Sequence, residues 1–250
     1  MTSYYFQKPL IITDNAYLLK EFISICEKKN IDSNFFDYAY SFNNNTFPIN
    51  DFKNLSLKKI NVKKSLNIIE QYDLIFSIHC KQLFPAYIVN NVKCINIHPG
   101  LNPYNRGWYP QVFSIINGLP LGATIHEIDE FLDHGNIIAQ EEIKLNSWDT
   151  SLSAYNRVLK TELKLIKENI DNILMNTYSV IKPQEEGNIN YKKDFNSLCM
   201  IDKNETNTFG NFIDRLRALS HGQHTNAYFI DIQTGKKIYI KIELQPEHHS

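Results

Sequence analysis

Short apolar runs alternate with segments of helical periodicity from Lys8 to Lys144, and that alternation leaves few folds open to the chain. Lys8–Thr13 reads as a first strand, Asn15–Lys29 as an amphipathic helix and Ser33–Tyr38 as a second strand. Ser41–Leu57, with its Asn43-Asn44-Asn45 tract, is polar and loop-like. Helix is expected near Val62–Tyr72, strand over Asp73–Ile78, a short helix over Pro85–Val89 and then a strand ending at His98. Tyr109–Asn117 reads as helical, strands holding His126 and Ile137–Lys144 follow, and Trp148–Asn172 keeps helical spacing throughout. This order predicts an α/β fold with a Rossmann-like open, largely parallel sheet.

The pattern changes after residue 180. Lys182–Asn188 is a polar linker, Tyr191–Phe195 begins a smaller unit, and Phe209–Leu219 carries a helical stripe with Arg215 and Arg217. Asn226–Asp231 and Lys237–Lys241 flank Gln233-Thr234-Gly235-Lys236, a strong hairpin signal. The expected division is therefore residues 1–180 as the main domain and 181–250 as a small C-terminal region of helix and hairpin. Glu247–Ser250 reads as a disordered end whose His248 and His249 could bind metal only weakly.

Composition narrows the function. A formal net charge of −1 and a pI near 6.7 argue against a nucleic-acid partner, which calls for a basic surface. Cys26, Cys80, Cys94 and Cys199 form no Cys-x-x-Cys pair, so neither a metal site nor a disulfide framework is expected. They read as free thiols of a cytoplasmic protein. No apolar run reaches the 18 residues needed to span a bilayer and no signal peptide is seen, so no membrane partner is expected.

Asn96-Ile97-His98-Pro99-Gly100 concentrates the chemistry. Ile95–His98 alternates as a strand does, so Asn96 and His98 project from one face, and the proline and glycine then end the strand. Polar groups at the carboxyl end of such a strand sit where open α/β sheets hold ligands. Asp133, in Leu132-Asp133-His134-Gly135, follows 35 residues past the histidine and adds a carboxylate to the amide and the imidazole. Gly135 lets the backbone turn so that Asp133 aims inward. His126 fits a structural hydrogen-bonding role as well as a chemical one.

Asn96–Pro99, with Gly122-Ala123-Thr124-Ile125-His126 and Leu132–Gln140, resembles the signature of formyltransferases that use N10-formyltetrahydrofolate. The intervening Asn102-Pro103-Tyr104-Asn105-Arg106-Gly107-Trp108 departs from the Ser-Leu-Leu-Pro segment of the purine-pathway and tRNA branches. It is similar to the branch acting on dTDP-linked 4-amino-4,6-dideoxyglucose, with the 3-amino sugar branch close behind. The C-terminal region, with its Arg-Ala-Leu and Asn-Ala-Tyr-Phe pieces, also resembles that of the sugar enzymes. The resemblance implies Asn96, His98 and Asp133 as catalytic residues, N10-formyltetrahydrofolate as co-substrate with no metal, and a dTDP-linked amino sugar as acceptor. It further implies a homodimer through the C-terminal region and a product destined for a surface glycan such as the O-antigen of lipopolysaccharide.

Formyl transfer to an amine develops negative charge on the formyl oxygen and positive charge on nitrogen. An amide donor such as Asn96 suits the first, at roughly 3 to 4 kcal/mol per donor. His98 can donate to the oxygen or take the amine proton, and Asp133 would orient the imidazole and favour its protonated form. In the resembling enzymes the pterin lies along the loops that here hold Leu83, Phe84, Pro85, Tyr87, Val89 and Asp129. Lys81 suits a phosphate and Arg106 a phosphate or sugar hydroxyls. Trp108 suits stacking on a ring, while Asn102, Tyr104, Asn105, Arg215 and Tyr228 complete the expected acceptor contacts. Two other readings are weaker. A nicotinamide enzyme lacks its G-x-G-x-x-G turn after the first strand, and a non-catalytic sugar-nucleotide binding module has no use for an intact trio.

Overall fold

The computed structural model describes residues 4–247, so His248 and His249 lie outside the described residues. The strands are β1 (Pro9–Thr13), β2 (Asp37–Ser41), β3 (Leu57–Ile60), β4 (Leu74–Ile78), β5 (Lys93–His98), β6 (Arg106–Gly107), β7 (Leu121–Glu127) and β8 (Ile137–Ile143). Interleaved with them are α1 (Ala16–Lys28), α2 (Ile68–Gln71), α3 (Ala86–Val89), α4 (Pro110–Asn117) and α5 (Ser151–Leu174). The C-terminal region follows as β9 (Ile189–Asn190), α6 (Lys192–Cys199), α7 (Phe209–Leu219), β10 (Ser220–His221), β11 (His224–Thr225), β12 (Ala227–Ile230) and β13 (Lys237–Ile240).

The main sheet runs β3-β2-β1-β4-β5-β7-β8. Its first five strands pair in parallel, and β7 and β8 are antiparallel additions on the β5 side. Side-chain alternation divides the core. Ile11, Phe76, Ile78, Ile95 and Ile97 pack with α1 and α5 on one face, while Leu10, Ile12, Ile75 and Cys94 pack with Ile68 and Ile88 on the other. Each such side chain, fully buried, contributes about 1.5–3 kcal/mol. Cys94, Asn96 and His98 share a face of β5, so the strand begins against the core and ends in the crevice.

The long helix α5 is well started. Thr150 accepts from Ser153 N and Ser153 Oγ accepts from Thr150 N, which satisfies two otherwise free donors. α7 lies on α4, with Ala218 packed against Val112 and Ile115, and Arg217 Nη1 donates to Asp149 O at 2.8 Å. Residues 226–241 form the expected hairpin, Ala227 opposite Ile240 and Ile230 opposite Lys237.

Three elements differ from expectation. Asp32 accepts from Asn34 N at 2.9 Å and caps a short 3-10 turn over Ser33–Phe35, so β2 begins only at Asp37. β3 arises from the lysine-bearing Leu57–Ile60, whose middle residues are exposed as suits an edge strand. The helix expected over 62–72 shrinks to Ile68–Gln71, because Gln82 Oε1 accepts from Val62 N at 3.1 Å and Tyr87 Oη donates to Val62 O at 2.7 Å. The polar 182–188 stretch is also anchored: Ile181 bridges Ile137, Arg106 N donates to Asn188 O at 3.0 Å, and β9 pairs with β6. No helix among the described residues is long and apolar enough to cross a membrane.

At Gly122 a Cβ would stand 2.2 Å from the Glu141 carbonyl oxygen within the β7–β8 ladder. Backbone there has little room to yield, so Gly122→Ala is expected to destabilise the fold by about 1–3 kcal/mol. Thermal unfolding of the variant checks this, and an unchanged Tm would contradict it.

Candidate active site

Register delivers the trio. β5 pairs with β7 so that Asn96 faces His126 and His98 faces Thr124. The loop after β7 then returns to the end of β5, closing tightly because Gly135 has no Cβ: one there would lie 1.9 Å from Glu127 O. The return places Asp133, in a left-handed conformation with φ 47°, at the crevice. Asn102 Nδ2 donates to Asp133 O at 2.9 Å and Gly107 N donates to Asp133 Oδ2 at 3.0 Å, so two other stretches of chain hold the residue.

Around this carboxylate the amide and imidazoles converge. Asn96 Nδ2 donates to Asp133 Oδ1 at 3.0 Å and lies 3.2 Å from His126 Nε2. His126 Nδ1 stands 2.6 Å from Glu127 O and must donate to it, which fixes the ring with Nε2 turned toward Asn96 and Asp133. His98 Nδ1 lies 3.6 Å from Asp133 Oδ2, and the anion there favours the tautomer protonated at Nδ1. His98 Nε2, buried and without a hydrogen-bond partner, then keeps its lone pair. Gly100 makes room for that edge, since a Cβ would come within 2.5 Å of Nε2.

Electrostatics differ from the expectation in one respect. His98 is 3% exposed, and burial pushes its pKa down to about 4 against the pull of Asp133. The imidazole is therefore neutral at pH 7, whereas the sequence suggested that Asp133 would favour its protonated form. Asp133 is itself buried, which works to raise its pKa, but His98, His126 and the Gly107 N–H outweigh burial and hold it well below the usual carboxylate range. The pair is thus an anion beside a neutral base.

A cavity of about 660 Å³ opens over this centre. Asn96, His98, Asp133, Lys81, Leu83, Phe84, Asp129 and Trp108 line it. Other expected binding residues do not. Tyr87 donates to Val62 O and, with Val89, packs in the core beneath α3, and Pro85 caps that helix. Asn102 is buried behind Asp133. Asn105 is fully buried, bound to Ser114, Asn117, Asn188 and Asn190. Tyr104 donates to Glu185, and buried Arg106 reaches Leu132 O and Glu186. Arg215 binds Leu198 O, Met200 O and Glu205, and Tyr228 packs on Tyr239 beneath Lys237. Of these, Asn102 and Arg106 lie directly behind the wall, through Asp133 and Leu132.

Sequence reasoning missed a second polar group on the cavity wall: His79, Gln111, Ser151, Tyr155, His221 and His224. Gln111 Nε2 donates to Ser151 Oγ at 3.2 Å, and Ser151 Oγ lies 3.0 Å from His221 Nδ1. The available signal was Glu162, a carboxylate in the apolar stripe of α5 between Val158 and Ile166. Such a residue requires a buried partner, and His79 supplies it.

The depressed pKa of His98 has a measurable cost. Between about pH 6.5 and pH 4 the unfolded histidine binds a proton that the native one excludes, so this group removes stability as pH falls through that window and none above it. The full effect is about 3 kcal/mol. His98→Gln is expected to flatten the fall in stability between pH 7 and pH 4.5 relative to the unaltered protein in denaturant unfolding, and equal slopes would refute the buried neutral state.

Residues 18–170 match the Formyl transferase family and residues 194–246 the N-formyltransferase dimerization C-terminal domain. A dTDP-4-amino-4,6-dideoxyglucose formyltransferase of Mycobacterium tuberculosis (strain ATCC 25618 / H37Rv) is 53% identical over 180 residues, 72% of this chain and 76% of the relative. The crystal structure of a 4-N formyltransferase from Francisella tularensis superposes with a TM-score of 0.89 at 47% identity, covering 96% of this chain and 99% of that one. A sugar N-formyltransferase from Shewanella sp. FDAARGOS_354 gives 0.91 at 42% identity over 97% and 99%. With an amide, a buried imidazole and a carboxylate gathered at the strand end and likeness along both regions, the chain belongs to the formyl transferase family, among its sugar N-formyltransferases.

Proposed function

We propose that the enzyme transfers the formyl group of N10-formyltetrahydrofolate to the 4-amino group of dTDP-4-amino-4,6-dideoxyglucose. The observation that carries the reading is the convergence on the cavity of the Asn96 amide, the neutral His98 imidazole and the ionised Asp133 carboxylate. Relatives that act on this sugar, or at a 4-amino position, match the chain over most of its length.

The residues present fit the folate. Leu83 and Phe131 are 58% and 68% exposed at the cavity, an apolar cost that a planar ring lying on them would relieve. Leu83, Phe84, Ile128 and the backbone of 129–133 would hold the pterin, and the bound co-substrate supplies an activated formyl carbon. His98, on the cavity wall, takes the proton from the attacking amine and returns it to the departing folate nitrogen as that nitrogen's bond to the formyl carbon breaks, and Asp133 stabilises the imidazolium between the two steps. Asn96 stabilises charge on the formyl oxygen. Both its amide hydrogens already face Asp133 and His126, so one must turn from them toward the ligand.

The C-terminal region, residues 181–250, is assigned dimerisation in this reading. Phe209, Ile232 and Tyr239 are exposed there, and residues 194–246 match the dimerization domain. The free thiols of the four cysteines support a cytoplasmic reaction, and the product is assigned to a surface glycan such as an O-antigen.

Asn96→Ala, His98→Ala and Asp133→Ala are each expected to lower turnover at least about a hundredfold while dTDP still raises Tm. Near-normal turnover in the folded His98 variant would remove the proposed base. For regiochemistry, kcat/KM for dTDP-4-amino-4,6-dideoxyglucose should exceed that for the 3-amino isomer at least about tenfold, because a displaced amine misses the attack geometry. Mass spectrometry of formylated products from both sugars measures this, and equal efficiency would assign the enzyme to neither position.

A further inference from the structure

Of the distinctive Asn102–Gly107 segment only Gly107 borders the cavity, yet Asn102, Asn105 and Arg106 are all buried. Stability does not account for the arginine. Its one carboxylate partner among the described residues, Glu186, lies 3.7 Å away with a side chain 81% exposed, and its own Nε has no hydrogen-bond partner. An ion pair with a solvated carboxylate repays little of the cost of burying a guanidinium.

What the segment does hold is the backbone of Asp133. That residue sits at φ 47°, a conformation that costs a residue with a Cβ roughly 1–2 kcal/mol and persists only where its surroundings impose it. The peptide planes on either side of its Cα are each fixed by one side chain. Arg106 Nη1 donates to Leu132 O at 3.4 Å on the peptide before Asp133, and Asn102 Nδ2 donates to Asp133 O at 2.9 Å on the peptide after it. Rotation about either backbone bond of Asp133 would swing one of these carbonyls off its donor, so the two bonds together set both dihedral angles. Gly107 N then takes the carboxylate itself at Oδ2.

The brace is rigid at its own base. Asn105 is bound to Ser114 and Asn117 on one side and to Asn188 and Asn190 on the other. Arg106 N donates to Asn188 O, and Arg106 and Gly107 pair with Ile189 and Asn190.

We propose that Asn102 and Arg106 are positioning residues for formyl transfer, which lock the left-handed turn of Asp133 from outside the cavity and so keep its carboxylate beside His98 and Asn96. The inference rests on the role given to Asp133 above. Once released, Asp133 relaxes toward negative φ and carries the carboxylate away from His98 Nδ1, which leaves the imidazolium without its counter-charge. Neither Asn102 nor Arg106 lines the cavity, so the loss falls on turnover and not on ligand binding.

Steady-state kinetics with dTDP-4-amino-4,6-dideoxyglucose and N10-formyltetrahydrofolate, followed by mass spectrometry and referred to folded enzyme, test this. Asn102→Ala and Arg106→Met should each lower kcat at least about tenfold, with KM for both substrates within about twofold. Arg106→Lys, which keeps a donor for Leu132 O, should recover kcat to within about threefold of the unaltered enzyme. In an Asp133→Ala background the same two substitutions should change the residual turnover by less than about twofold, because the group they position is gone. Damage that did not act through Asp133 would instead multiply with that of Asp133→Ala. Such multiplication, an unchanged kcat, or a raised KM at unchanged kcat would each overturn the inference while leaving the proposed function intact, the last by making Arg106 a substrate contact. Asn102→Ala decides the matter if Arg106→Met does not fold. Absence of transfer to any nucleotide amino sugar by the unaltered enzyme would overturn both.

Discussion

One carboxylate ties the structure together. Asp133 receives the Asn96 amide from β5 and the Gly107 N–H from β6, and its own carbonyl receives Asn102. Three donors, 26 to 37 residues from Asp133 in sequence, must therefore be in place before the residue is satisfied. A buried carboxylate that lost these donors would bear the desolvation cost of an unpaired charge. The same requirement explains the unusual backbone nearby, with Asp133, Asn105 and Tyr109 all at positive φ. Local strain is tolerated where the surrounding hydrogen bonds over-determine it.

Most of the sheet was legible because its strands are short apolar runs with helices between them, and the trio was legible because a strand's alternation puts Asn96 and His98 on one face. What escaped was governed by contacts between distant side chains. Gln82 and Tyr87 take the backbone groups of Val62 that a helix would have used, and nothing near Val62 signals it. β3 escaped because an edge strand needs no apolar pattern. Asn105 and Arg106 looked like ligand contacts by residue type, yet both are buried and neither lines the cavity. In a window of sequence, a buried asparagine with several partners cannot be distinguished from one that reaches a substrate.

The two histidine systems show how burial sets chemistry. His98 ends β5 and His79 follows the neighbouring β4, each beside a carboxylate, Asp133 and Glu162. At His98 the contact is loose, 3.6 Å, and burial leaves the ring neutral with a free nitrogen. At His79 both carboxylate oxygens are within hydrogen-bond distance, and the other nitrogen is engaged by Tyr155. Identical residue types thus yield a neutral imidazole with a free nitrogen at one strand end and a ring held at both nitrogens at the next.

The anchoring of residues 181–190 bears on how such enzymes diversify. Because Ile181 bridges β8 and β9 pairs with β6, the stretch leading into the C-terminal region also supplies backbone partners to the segment that supports Asp133. A recombination joint placed at 181 would separate that segment from its natural neighbour, whereas one placed after Asn190 would keep them together. The 181–190 stretch therefore belongs structurally with the main sheet and the segment that supports Asp133, and the C-terminal region proper begins beyond Asn190.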